Sequence, residues 1–294
     1  MKNIQEVLWK TMVWLVGFGI AVMVCVMNVH ILWNETFWAN VSSEVLEQDT
    51  FRSMQFTEGS LEKIEGIANA LELEFSDVAA IVMTRYGFSP SNWEMSRVNP
   101  KRVMEWKETI EKQHSMEYEQ IQNAYRGTLA DIRYFPIPDS LDREKEQVTF
   151  VDTWKETRTY GGERYHEGTD LMGVLYERGT YPIISMTDGY VERMGWLEKG
   201  GWRVGIRAPS GGYFYYAHLY SFAPGLKEGD WVKAGQLLGY MGDSGYGKEE
   251  GTVGKFPVHL HFGIYLKTKQ VDELSINPYP ILQYAQKYKL KHDY

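Results

Sequence analysis

Pro257-Val258-His259-Leu260-His261-Phe262-Gly263-Ile264-Tyr265 decides the fold. Val258, Leu260, Phe262 and Ile264 alternate with His259, His261, Gly263 and Tyr265, which is the period of a half-buried strand. Successive strand side chains point to opposite faces, so both imidazoles leave one face while the other can be wholly core. Two histidines held parallel on a rigid strand suit a metal site, where one binds the ion and its neighbour handles protons. A lone His-x-His equally describes a polar strand face, so the rest of the histidine inventory has to decide.

Working outward, the texture on the N-terminal side is also β. From Val148 onward, short apolar runs separated by glycines cover Tyr181–Ser185, Tyr190–Trp196, Trp202–Arg207, Tyr213–Leu219 and Gln236–Met241. Pro209-Ser210-Gly211-Gly212 joins two of them as a hairpin. The 28 glycines and 14% aromatics fit a turn-rich β domain better than an all-helical one. Asn277-Pro278 ends this pattern and leaves a short tail of helical character.

Four of the seven histidines fall in this β region: His166, His218, His259 and His261. His166 opens His166-Glu167-Gly168-Thr169-Asp170, and Tyr160-Gly161-Gly162 precedes it. His218 closes the strand that begins at Tyr213. His166-Glu167 could be misread as the start of a zinc-binding helix, with Asp170 in place of the second histidine. That motif needs a helix to bring positions i and i+4 together, and the surrounding glycines argue against one. An irregular loop presenting His166 and Asp170 is expected instead.

In this order, His-x-x-x-Asp, an isolated His at a strand end and then His-x-His, the chain resembles the lysostaphin-type, LytM-like zinc endopeptidases of bacterial peptidoglycan. Ile184–Val191, Gly229–Gly239 and Gly242-Asp243-Ser244-Gly245 resemble the framework of that family, and the resemblance covers roughly Val148 to Pro280. It implies a mainly β domain of antiparallel sheets. It also implies that His166, Asp170 and His261 bind Zn²⁺, while His218 and His259 line the site as proton-handling groups. Two imidazoles and one carboxylate leave the fourth tetrahedral position open, as in catalytic zinc sites. Which of His218 and His259 acts as base is open at this point. Glu167 is left out, because in an extended chain it points away from its neighbours.

The N-terminal half reads differently. Thr11 to Trp33 is apolar with no acidic or basic residue except His30, long enough to cross a bilayer. Lys2 and Lys10 precede it, while Glu35, Glu44, Glu47 and Asp49 follow, which places the N-terminus in the cytoplasm and the rest outside. Trp9, Trp14, Trp33 and Trp38 are expected at the two membrane interfaces. The run is long for a signal peptide and lacks a small-residue cleavage site. Cys25, the only cysteine, lies mid-span where a lipid attachment site is not expected.

Residues 41–133 read as helical. Ser60 and Ser76 are expected N-caps, Gly87 a C-terminal stop, and Asn99-Pro100 the start of one long amphipathic helix reaching about Arg126. His114 lies on the apolar stripe of that helix and is expected to be structural. The expected organisation is a cytoplasmic N-terminus (1–10), an anchor (11–33), a helical spacer or regulatory region (34–133), a linker (134–147), a zinc peptidase domain (148–280) and a tail (281–294). A protein partner would act through 41–133. The net charge of −8 and the lack of basic runs give no nucleic-acid footprint. The expected activity is hydrolysis of peptidoglycan cross-links or stem peptides outside the cytoplasmic membrane. Its rival is a catalytically silent scaffold or activator of other wall hydrolases. Neither a carboxypeptidase nor a plain carbohydrate-binding module accounts for the four ordered histidine positions.

Overall fold

The computed structural model describes residues 2–142 and 148–294. The first helix, α1 (Lys2–Ala39), is a single run of 38 residues. It is long and apolar enough to cross a membrane by length and composition. At 1.5 Å per residue it extends about 57 Å, against a hydrocarbon layer of ~30 Å, so its last turns stand clear of any bilayer that holds its apolar part. There the Asn34 amide donates to the Thr109 hydroxyl at 2.8 Å. Trp38 is 1% exposed and lies edge-on to Tyr118 with ring centres 5.6 Å apart. The helix therefore does not end at Trp33, and Trp38 is a core residue rather than an interfacial anchor.

A short 3-10 turn (Ser43–Glu47) and α2 (Asp49–Arg52) lead into the helical region proper. It comprises α3 (Ser60–Leu71), α4 (Phe75–Arg85), α5 (Asn92–Arg97), α6 (Pro100–Gln113) and α7 (Met116–Leu129). α4 is its centre: Val78, Ala79, Ala80, Val82 and Met83 are wholly buried, with α3, α6 and α7 packed around them. The start at Asn99 is as expected, since its side chain accepts from the Arg102 amide and Pro100 is the first helical residue. Gly87, at φ +61°, closes α4 through bonds from Gly87 N–H to Thr84 and from Phe88 N–H to Met83.

Three helical expectations are corrected. Ser60 and Ser76 are not caps: Gly59 and Glu74 hold those positions, and both serines lie buried within the first turn. The long helix from Pro100 is broken at His114, which adopts a left-handed conformation (φ +48°) and is exposed, so it does not lie on a packed stripe. Ser115 then caps α7 by accepting from the Tyr118 amide, and this cap stops the two apolar stripes from being continuous. The stretch from 134 is not a free linker. Phe135 and Ile137 are buried, and β1 (Asp139–Ser140) pairs in parallel with a two-residue strand at Lys291–His292. The remainder of the expected linker, 143–147, lies outside the described residues.

The β domain contains β2 (Val148–Thr149), β3 (Thr157–Arg158), β4 (Arg164–Tyr165), β5 (Thr169–Gly173), β6 (Pro182–Ile184), β7 (Gly189–Leu197), β8 (Gly201–Arg207) and β9 (Tyr213–Phe222). After these come β10 (Trp231–Val232), β11 (Leu237–Met241), β12 (Leu260–Leu266), β13 (Leu274–Ile276), α8 (Tyr279–Ala285) and β14 (Lys291–His292). The main sheet is antiparallel in the order β10-β7-β8-β9-β12-β5-β2, with β11 pairing β9 and β6, and β13 pairing β12. Val258, Leu260, Phe262 and Ile264 are all buried, so the alternation read from the sequence is realised. The final segment is no loose tail: Ile281, Leu282 and Ala285 are fully buried, and Tyr284 stacks on Phe75 of α4 at 5.3 Å.

The helical region docks on the β domain through α2 and α7. Asn277 N–H donates to the Arg52 carbonyl, and Arg52 donates to Ser275 and to Glu167. Gly212 meets Gly127 so closely that a Cβ there would lie 1.9 Å from the Gly127 carbonyl oxygen.

Candidate metal and catalytic site

His166 precedes β5, Asp170 lies on β5 and His261 lies on β12, opposite Asp170 in the strand register. Asp170 is thus held by a strand rather than by the expected loop. His166 Nε2, Asp170 Oδ1 and His261 Nδ1 form a triangle with each side 3.0 Å. A tetrahedral ion with bonds of ~2.0–2.1 Å places its ligands roughly 3.3 Å apart, so these three atoms fit one small divalent ion with only a slight outward relaxation. The donor set of two imidazoles and a carboxylate suits such an ion.

Outer partners aim these ligands. His166 Nδ1 lies 3.2 Å from the Thr153 carbonyl and 2.9 Å from its hydroxyl. These two oxygens and the Arg158 guanidinium, 3.1 Å from Nδ1, fix the ring so that Nε2 faces Asp170 and His261. Arg158 donates to the second oxygen of Asp170 at 2.9 Å. Gly168 allows the close approach of His261, because a Cβ there would lie 2.5 Å from His261 Cε1 and 2.7 Å from the Phe262 carbonyl oxygen.

His218 and His259 complete the group, with ring centres 4.8 Å apart. His218 Nδ1 donates to the Ser244 carbonyl at 2.7 Å, and His259 Nδ1 to the Pro257 carbonyl at 2.7 Å. His259 Nε2 lies 3.6 Å from Asp170 Oδ1, and the His218 ring centre lies 5.9 Å from that of His261. His218 does not close its strand; β9 continues to Phe222, and His218 has φ +63° beside a register shift between β8 and β9.

The electrostatics favour neutral His218 and His261 beside one ionised carboxyl. Burial pushes Asp170 up, but hydrogen bonds from His166 and His261 with the nearby imidazoles outweigh it and hold the carboxyl well below its usual range. Burial pushes His218 well below the ordinary histidine value, and the neighbouring His259 and His261 add to this. Burial also lowers His261, against the pull of Asp170. Deprotonated imidazoles beside a charged carboxylate are the state a metal requires.

The five residues line one cleft of ≈ 420 Å³. Its walls include Arg158, Arg164, Lys199, Tyr215, Tyr246 and Phe256, none of which stands out in the sequence. Arg164 donates to the Tyr246 hydroxyl at 2.9 Å, and Tyr246 stacks on Tyr160 with ring centres 4.3 Å apart. The glycines at 161 and 162 flag this flap, but only the fold tells which aromatic it lies on. Glu167 points away, to Arg52, as expected. No residue of 34–133 lines the cleft, so the helices do not cover it.

Residues 164–273 match peptidase family M23. The crystal structure of a lytM protein from Ruminococcus gnavus is 43% identical and superposes with a TM-score of 0.74, covering 87% of this chain and 100% of that one. The chain belongs to peptidase family M23. The L-Ala-D-Glu endopeptidase of Bacillus subtilis is 43% identical over 155 residues, which is 53% of this chain and 44% of that protein. The glycyl-glycine endopeptidase ALE-1 of Staphylococcus capitis is 35% identical over 104 residues, 35% of this chain and 24% of that protein. This chain thus aligns with less than half the length of these curated relatives. The M23 match contains all five cleft residues and none of the helical region.

Proposed function

We propose that this M23 protein is a membrane-anchored zinc endopeptidase that hydrolyses peptide bonds of peptidoglycan outside the cytoplasmic membrane. The observation that carries the reading is the triangle of His166, Asp170 and His261 with His218 and His259 beside it in the same cleft, each held by a carbonyl at Nδ1. Zn²⁺ bound there supplies Lewis-acid polarisation of the scissile carbonyl and acidifies water.

The chain's own groups do the rest. His218, kept neutral by burial and oriented by Ser244, takes the proton of the attacking water at Nε2. Having gained that proton, His218 passes it to the leaving amine, while His259, oriented by Pro257, accepts from the attacking water at Nε2 and holds it in place. Arg158 holds the Asp170 carboxylate in place from its far oxygen. A scaffold without catalysis has no need of all five groups in these orientations.

The stem peptide is the better substrate. Asp170 is the only carboxylate among the described lining residues, whereas Arg158, Arg164 and Lys199 are cationic. That balance favours an acidic stem peptide over an uncharged glycine bridge, in line with the L-Ala-D-Glu endopeptidase named among the relatives. Anchoring is supported by α1, whose apolar side chains from Ile4 to Trp33 are exposed and would aggregate in water. Because α1 runs unbroken into the helical core through Trp38, the anchor stays attached to the folded part.

The test is digestion of purified peptidoglycan by the full chain in detergent, with products identified by mass spectrometry. New amino termini at D-Glu are expected. Intact stems with zinc bound would sink the enzyme reading, and protease resistance of the β domain in intact protoplasts would sink the topology.

A further inference from the structure

A second cavity, of ≈ 640 Å³, lies far from the cleft, where α1 enters the helical region. Trp33, Arg85, Trp93, Arg97, Arg102 and Trp106 line it. Among the described residues, none of the three guanidiniums has a carboxylate partner or a hydrogen-bond acceptor. Arg85 lies over the Trp33 ring at 4.2 Å and over Phe37 at 4.6 Å, and its Nη1 is buried without a partner. Burial pushes the Arg85 pKa down; Tyr86 opposes this and the nearby Arg102 adds to it.

The two carboxylates on the same wall, Glu94 and Glu105, pair with groups other than the three guanidiniums. Glu94 accepts from the Ser91 amide and hydroxyl as part of a capping box, and Glu105 faces Lys101 at 3.9 Å. With Arg85, Arg97, Lys101 and Arg102 against Glu94 and Glu105, the cavity keeps a net positive charge in partly desolvated surroundings, an arrangement that calls for an anion. Its place specifies which one. Trp33 marks the end of the apolar part of α1, and Trp93 is 65% exposed with Arg97 over its ring at 4.5 Å. Amphipathic tryptophans beside arginines suit the headgroup layer of a bilayer.

We propose that this cavity binds the phosphoryl group of an anionic membrane lipid, through Arg85, Arg97 and Arg102. The proposal rests on α1 being the membrane span. Planar guanidiniums match phosphate oxygens in paired hydrogen bonds, and the Trp93 face covers the adjoining glycerol and first methylenes. A lipid held there fixes the height and tilt of the helical region, and through its docking on the β domain the distance of the M23 cleft from the membrane.

Native mass spectrometry of the full chain, released from mixed micelles of phosphatidylglycerol and phosphatidylcholine, tests this. The chain is expected to retain phosphatidylglycerol over phosphatidylcholine by at least about tenfold. The Arg97→Gln/Arg102→Gln variant, both of whose positions reach solvent, is expected to lose that preference, and Trp93→Ala to weaken it. Equal retention of the two lipids, or an undiminished preference in the double variant, overturns the proposal. Inorganic phosphate, offered without lipid, distinguishes the source: its retention without any lipid preference overturns the lipid and leaves a free-phosphate site. A chain that is monodisperse without detergent overturns the span, and with it the proposal, whatever the lipids do.

Discussion

Replacing Gly168 with alanine tests the proposed metal site through a single methyl group set against the His261 ring. The added Cβ would lie 2.5 Å from His261 Cε1 and 2.7 Å from both His261 Nε2 and the Phe262 carbonyl oxygen. Ordinary contact begins near 3.4 Å, so the imidazole has to retreat by ~0.9 Å. The carbonyl belongs to β12 and is held in the sheet, which leaves the His261 ring as the part that gives. Its Nδ1 is 3.0 Å from both His166 Nε2 and Asp170 Oδ1, so a shift of that size opens two sides of the triangle. A misplacement of ~1 Å in a catalytic group lowers rate by roughly 10²-fold, and overpacking of this kind destabilises by about 1–3 kcal/mol. Zinc titration with a competing chelator, peptide hydrolysis and thermal unfolding of the same sample separate the two effects. Wild-type zinc affinity and activity in a folded Gly168→Ala protein would refute the packing argument.

Alanine at His166, Asp170 or His261 is expected to abolish zinc retention, whereas His218→Ala keeps the metal and loses activity by ~10²–10⁴-fold; metal analysis of the purified variants checks this, and loss of zinc from His218→Ala alone would overturn the assignment. Arg52→Met removes the bonds to Glu167, Ser275 Oγ and the Ser275 carbonyl, so unfolding should become easier by about 1–3 kcal/mol and hydrogen exchange faster at 165–170. At Glu65, burial acts to raise the pKa but hydrogen bonds from Lys287, Tyr288 and Tyr284 prevail, and the carboxyl ends below its ordinary value of 4.5. Its folded pKa is thus depressed, so the stability it adds is present above about pH 4.5 and fades as pH falls through the lower folded value. The stability gap between the native protein and Glu65→Gln, followed by denaturant unfolding, should shrink from pH 5 to pH 3; a gap independent of pH would count against this clamp.

The sequence carried the β domain well and the helical region less well, for a physical reason. Strand alternation over Val258–Ile264 is enforced by burial on one face, so it survives as a pattern. Helix ends are decided by one or two residues, and similar residues compete for them. Ser60 and Ser76 have the chemistry of caps, yet Gly59 at φ +70° and the extended Glu74 turn the chain first, which draws both serines into the helices. In the same way, the stripe through Val103, Trp106, Ile110, Tyr118 and Ile121 continues across a break. α6 and α7 both face α4, so the two helices share one apolar partner without sharing an axis. The forty-ångström spacer implied by a continuous helix is replaced by a compact base welded to α1.

At the cleft, the fold brings together the five groups that the sequence singled out, but the means of aiming one of them was not legible. On β9, Phe214 and Tyr216 point into the core against Phe262, while Tyr215 faces the cleft. Simple alternation from Tyr216 would put His218 on the core face too, away from His261. The register shift against β8 and the left-handed backbone at His218 turn its ring back to the cleft, where it meets His259 and His261. A left-handed conformation at a residue with a Cβ costs about 1–2 kcal/mol, and the bond from Nδ1 to the Ser244 carbonyl offsets it. Ser244 is itself fixed, its hydroxyl donating to the Leu219 carbonyl and accepting from the Trp202 amide. The Gly242-Asp243-Ser244-Gly245 turn therefore reaches the site at two points: Ser244 holds the strained backbone and ring of His218, and the Gly242 carbonyl accepts from the His259 amide at 3.0 Å.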